Sequence, residues 1–135
     1  MKNLNVSHKF LVCLSLTAMS LCANAADWVS LGLADLGTYG IDRASIEKDG
    51  SLRRVWTKLD YREQQKTSQG KTYLSSRALM EMDCVKKQVR TRSIALYSGH
   101  HLAGDALTSE GVFDAWQALA PNTPVFTMFK VVCEH

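Results

Sequence analysis

Between Arg54 and Tyr97 the chain alternates apolar and polar side chains in three successive long stretches, which commits its centre to a β-sheet. Val55, Thr57, Leu59 and Tyr61 point one way, while Arg54, Trp56, Lys58 and Asp60 point the other. From Thr72 to Cys84, Leu74, Ser76, Ala78, Met80, Met82 and Cys84 share one parity, and Arg77, Glu81 and Asp83 share the opposite one. Leu, Met and Ala would allow a helix there, but the parity persists and similar strands flank it. The third strand runs from Val89 to Tyr97. Val89 and Thr91 alternate with Arg90 and Arg92, then Ile94 to Tyr97 is apolar on both parities. That half needs cover on both faces, or a bulge that resets the alternation.

Shorter elements surround this centre. Trp28 to Leu33 and Thr38 to Ile41 read as two short strands joined by a turn at residues 35–37. Ser45-Ile46-Glu47 adds a brief extended piece, and Asp49-Gly50 after it is a hairpin signal. The polar stretch from Arg62 to Lys71 is expected to be the longest loop and the most mobile element. His101 to Thr108 reads as a weaker edge strand. Phe113, Trp116 and Leu119 fit a short turn of helix before Pro121. Thr123 then caps a final helix with Pro124 in its first position. Val125, Met128, Phe129, Val132 and Cys133 form one apolar stripe along it. The fold class is α+β, mainly β: a sheet of about six strands with a short C-terminal helix.

The N-terminus reads as an export signal. Lys2, His8 and Lys9 precede an apolar run from Phe10 to Leu21, and Ala23-Asn24-Ala25 supplies an A-x-A cleavage pattern. Residues 1–25 are therefore a signal peptide and residues 26–135 a single domain. The run is too short to span a bilayer, which takes about 20 residues. Lipidation at Cys22 is disfavoured by the bulky Leu21 before it. Cys13 and Cys22 leave with the signal, so Cys84 and Cys133 are an even pair in an oxidising compartment. A structural disulfide is the expected state, and two free thiols or a redox pair are the alternatives; nothing resembles C-x-x-C. Because Cys133 lies on the packing stripe and Cys84 on the core parity, a bridge would tie the final helix to the sheet. Of the 16 Lys and Arg side chains, Lys2 and Lys9 are lost with the signal, leaving 14 against 13 Asp and Glu. That balance gives no electrostatic footprint for nucleic acid.

A search for chemistry finds no catalytic set. His100 and His101, near Asp105, would point to opposite faces of a strand and could not easily share a metal. G-x-S-x-G is absent around Ser98, and Gly70-Lys71-Thr72 lacks the first glycine and the helix of a phosphate loop. Asp83 beside Cys84 reads as a solvated residue at a strand end. No metal or cofactor is expected. One surface stands out: Arg54, Trp56, Lys58, Arg77, Arg90 and Arg92 lie on the outward parity of the three long strands, with Leu79 among them. If the strands are neighbours, this is a basic, partly apolar sheet face. Its arginines would either pair with Glu81, Asp60 and Asp83 as a solvated face or form a binding or self-association surface.

The order of several segments carries a resemblance. They are Ala26-Asp27-Trp28-Val29, the run from Tyr39 to Ile46, Val55-Trp56 after the Asp49-Gly50 turn, Met82-Asp83-Cys84, Tyr97-Ser98-Gly99, the Trp116 to Pro124 stretch and Val132-Cys133. Together they resemble the surface-adhesin protein E-like family of small exported proteobacterial proteins, across nearly all of the mature chain. The resemblance implies an antiparallel sheet, a Cys84–Cys133 disulfide and a homodimer as an option. It implies binding of host extracellular proteins such as vitronectin and laminin, without enzymatic activity, at the outer surface or in the periplasm. The alternative is a periplasmic envelope protein, small-ligand carrier or enzyme with no host role; a deep pocket with convergent polar groups would favour a carrier or an enzyme.

Overall fold

The computed structural model describes residues 25–108 and 114–135. All but the last residue of the expected signal peptide, 1–25, with Cys13 and Cys22, and also Phe113, lie outside the described residues. The chain forms β1 (Trp28–Ala34), β2 (Gly37–Asp42), β3 (Glu47–Asp49), β4 (Leu52–Lys66), β5 (Thr72–Asp83), β6 (Gln88–Tyr97), β7 (Ala106–Thr108), β8 (Gln117–Ala118) and a helix, α1 (Pro124–Cys133). All strands join one antiparallel sheet in the order β1-β2-β4-β5-β6-β7, with β3 beside β4 and β8 beside β6. The three long strands are therefore direct neighbours. Among the described residues no helix is long and apolar enough to cross a membrane.

Alternation decides which face is covered. Ile41, Val55, Met82 and Val89 share one side of the sheet and pack against Met128, Phe129 and Val132 of α1. Each such side chain stabilises the fold by roughly 1.5–3 kcal/mol when fully buried. The helix starts where expected: Oγ1 of Thr123 accepts from the Phe126 amide at 3.2 Å, and Pro124 opens the first turn. At its far end Cys133 is bonded to Cys84, just beyond β5, with Cα atoms 5.7 Å apart. The helix is thus tied to the sheet.

Three details correct the expectations. Arg62 to Lys71 is not a long loop, because β4 continues to Lys66 and only residues 67–71 turn. Alternation fades there because most of residues 62–66 are exposed, and residues 61–64 stand opposite Leu74 alone. Nor do Trp116 to Leu119 form a helical turn. Gln117 and Ala118 pair with Val89 and Gln88, and the Leu119 amide donates to the Lys87 carbonyl at 3.1 Å. An unpaired stretch of β6 outcompetes a helix too short to sustain itself. The hairpin after β3 turns on Gly50-Ser51, one residue later than expected, with Gly50 at φ 59°.

The double apolar parity at the end of β6 also has a cause. Leu79 pairs with Ser93 and Met80 with Thr91, so Arg92 is an extra residue. This bulge flips the later parity. Ile94 and Leu96 then join Val89 and Thr91 on the helix-bearing side, opposite Ala78 and Ser76.

Candidate binding face

The side of the sheet away from α1 collects the outward residues. Register places Arg54 opposite Glu81 and Glu81 opposite Arg90, Trp56 opposite Leu79, and Lys58 opposite Arg77. Arg92 joins them at the bulge.

Glu81 organises one half of this face. It is only 2% exposed. Its Oε2 accepts from Arg54 Nε at 2.8 Å and its Oε1 from Arg90 Nε at 2.7 Å, and Arg90 Nη2 adds a further contact. Burial alone pushes the Glu81 carboxyl up, but hydrogen bonds and charge from Arg54 and Arg90 outweigh it and hold the group below its ordinary value. The same contact raises Arg54. A folded-state value below the unfolded one means that Glu81 stabilises the fold above the unfolded pKa, about 4.3. That stability is lost as pH falls through the folded value. Replacing Glu81 by Gln should therefore lower stability by about 2 kcal/mol at neutral pH, a figure reduced because both arginines are partly exposed. Urea unfolding of both proteins across pH should show the gap closing below about pH 4. A gap constant with pH would mean that shape, not charge, is responsible.

The other half is built from aromatic rings. The Arg77 guanidinium carbon lies 3.9 Å from the Trp56 ring centre, Lys58 Nζ lies 4.9 Å from that of Trp28, and the Arg90 carbon lies 4.4 Å from that of Trp116. Arg92 Nη1 bonds Asp114 at 2.9 Å. The sequence placed six of these residues on one face, but not Trp28, Trp116 or Asp114. Their positions depend on how distant segments pair, which local alternation does not encode.

Of the three acids expected to pair with arginines, only Glu81 does so. Asp60 instead accepts from the His101 amide and lies 3.1 Å from its Nδ1. Asp83 is buried rather than solvated. The Lys86 amide is the main cause that lowers its carboxyl, with the Val85 amide adding to it against burial. His100 and His101 sit in a 3-10 turn, not on a strand. Among the described residues no group of three His, Cys, Asp or Glu is placed to hold a metal.

Two clefts flank the helix start. One, of about 310 Å³, lies between β1 and α1 and is lined by Leu31, Tyr39 and Pro124. The other, of about 270 Å³, is lined by Met80, Val89, Leu119 and Arg90, whose guanidinium is already engaged by Glu81 and Trp116. Ligand sites start near 300 Å³, so the first sits at the lower limit and the second just below it.

The described residues, an antiparallel sheet with a C-terminal helix stapled to it by the Cys84–Cys133 disulfide and an arginine–tryptophan face, define a small α+β domain of a particular build. The chain belongs to the surface-adhesin protein E family, whose pattern matches residues 28–134. Haemophilus influenzae protein E has a similar fold: TM-score 0.63 at 15% identity, covering 78% of this chain and 83% of that one. A structure of protein E from non-typeable Haemophilus influenzae gives 0.61 at 14% identity, covering 79% of this chain and 75% of that one. No curated protein matches the chain in sequence.

Proposed function

We propose that this chain is an exported, non-enzymatic binding protein that works at the cell surface as an adhesin for host extracellular proteins. The observation that carries this reading is family membership across residues 28–134. Residues 1–25 serve as the export signal and residues 26–135 as the working domain. The disulfide fits an oxidising compartment. Vitronectin and laminin are the host proteins to test, and the arginine–tryptophan face, including Arg54, Trp56, Lys58, Arg77, Arg90 and Arg92, is the candidate contact surface. Exposed Arg and Trp side chains are the kind that anchor interfaces. A homodimer belongs to the same reading and is checked by sedimentation. The cleft between β1 and α1 favours a second reading, a small-ligand carrier confined to the periplasm.

Protease shaving and antibody labelling of intact cells, with permeabilised cells as control, separate the two. Labelling of intact cells, followed by binding to immobilised vitronectin or laminin, is the expected result. Labelling only after permeabilisation would remove the adhesin role.

A further inference from the structure

One row of side chains crosses five strands on the uncovered face: Ser30, Gly40, Lys58, Arg77 and Ala95. Its centre is electrostatically unusual. Lys58 and Arg77 stand directly opposite each other, and like charges in that position destabilise a sheet. Among the described residues no carboxylate pairs with either one. The acids that the register puts around them on this face are engaged elsewhere: Glu81 by Arg54 and Arg90, Asp60 by His101, and Asp42 by the amides of Asp27 and Ala44.

The surroundings hold the two cations in place without neutralising them. Trp56 lies under the Arg77 guanidinium and Trp28 under the Lys58 ammonium. A guanidinium stacked on a ring keeps its outer N–H edge free for an acceptor. Arg77 Nε is buried and has no acceptor from the protein. The Lys58 stem lies along Gly40, where a Cβ would come within 3.3 Å of Cε, and Ala95 adds no bulk on the far side. The result is a flat floor with two fixed, uncompensated positive charges at its middle.

We infer that Lys58 and Arg77 form a binding site for the sulfate groups of a sulfated polysaccharide. This rests on the reading of the outer face as a binding surface. A sulfate monoester stays negative at every physiological pH and presents three oxygens, suited to one guanidinium fork and one ammonium. The site lies in the interior of the sheet, where backbone groups are already paired across the ladders. An acidic peptide strand would find no main-chain partners there, whereas a sulfated sugar needs only side-chain donors.

The test titrates the mature chain with a defined heparin oligosaccharide at low salt, alongside poly-glutamate. Replacing both Lys58 and Arg77 by Gln should weaken heparin binding at least about tenfold, while Arg62→Gln, on the extended end of β4, should leave it unchanged. Thermal melts check folding. Should the double variant unfold, Lys58→Gln alone keeps the Arg77–Trp56 stack and should still weaken binding at least about threefold. Equal affinity of wild type and variant, no heparin binding by wild type, or poly-glutamate binding as tight as heparin would overturn the assignment. Those outcomes are separate from the adhesin reading, which fails on surface labelling and matrix-protein binding instead.

Discussion

Removing the Cys84–Cys133 bridge by serine substitution at both positions is expected to lower the unfolding free energy by about 4 kcal/mol. The bridge closes a loop with a sequence separation of 49, and the chain-entropy argument gives a large figure for a loop of that length. A domain of this size has about 5–15 kcal/mol in all, so the loss is at least about a quarter of it. The structural consequence falls on α1. An isolated helix of ten residues is unstable in water and depends on its docked face of Met128, Phe129 and Val132. Without the bridge, that docking alone must hold the C-terminus to the sheet. Denaturant unfolding of the oxidised protein and the double variant measures the difference. A loss under about 1 kcal/mol would show that apolar docking suffices and that the bridge adds little.

The second large effect is expected at Gly37. A Cβ built there would lie 1.9 Å from the Asp60 carbonyl oxygen, 2.8 Å from its carbon and 2.9 Å from Tyr61 Cα. All three are backbone atoms of β4, so no side-chain rotation relieves the clash. Gly37→Ala must push β2 away from β4, disturbing the pairing from Gly37–Tyr61 towards Ile41–Thr57. The expected cost is roughly 3 kcal/mol or more, above the usual range for an added methyl group in packed surroundings. Gly70→Ala makes a useful comparison, since nothing lies within 4 Å of its Cβ position and its φ of 79° brings only local backbone strain. Thermal unfolding should place Gly37→Ala well below Gly70→Ala. Equal stabilities would mean that β2 can shift outward at little cost.

Much of this was legible in the sequence for a simple physical reason. A strand with one buried face must alternate, so Val55, Thr57 and Leu59 identified the core side of β4, and the opposite parity identified Arg54, Trp56 and Lys58. The same rule failed where its cause was missing. Beyond Tyr61 most of the hairpin meets solvent, so β4 left little signal after that point. At Arg92 an inserted residue shifted the parity, which the sequence registered only as an apolar run. Trp116 and Leu119 are three residues apart, a spacing compatible with a helical turn, and only the unpaired stretch of β6 decided otherwise. Most of the candidate face was visible from parity. Its tryptophan partners Trp28 and Trp116 were not, because each reaches its cation through contacts distant in sequence.

The position of the bridge also sets how the domain responds to mechanical load. Tension applied at His135 travels only to Cys133 before crossing through sulfur to Cys84 and into β5. The intervening segment contains β6, β7, β8 and most of α1, and lies outside that force path. With a separation of 49 residues, about 160 Å of extended chain is withheld from stretching while the bridge is intact. Under a steady pull the domain yields from its N-terminal strands, and the C-terminal half lengthens only after reduction.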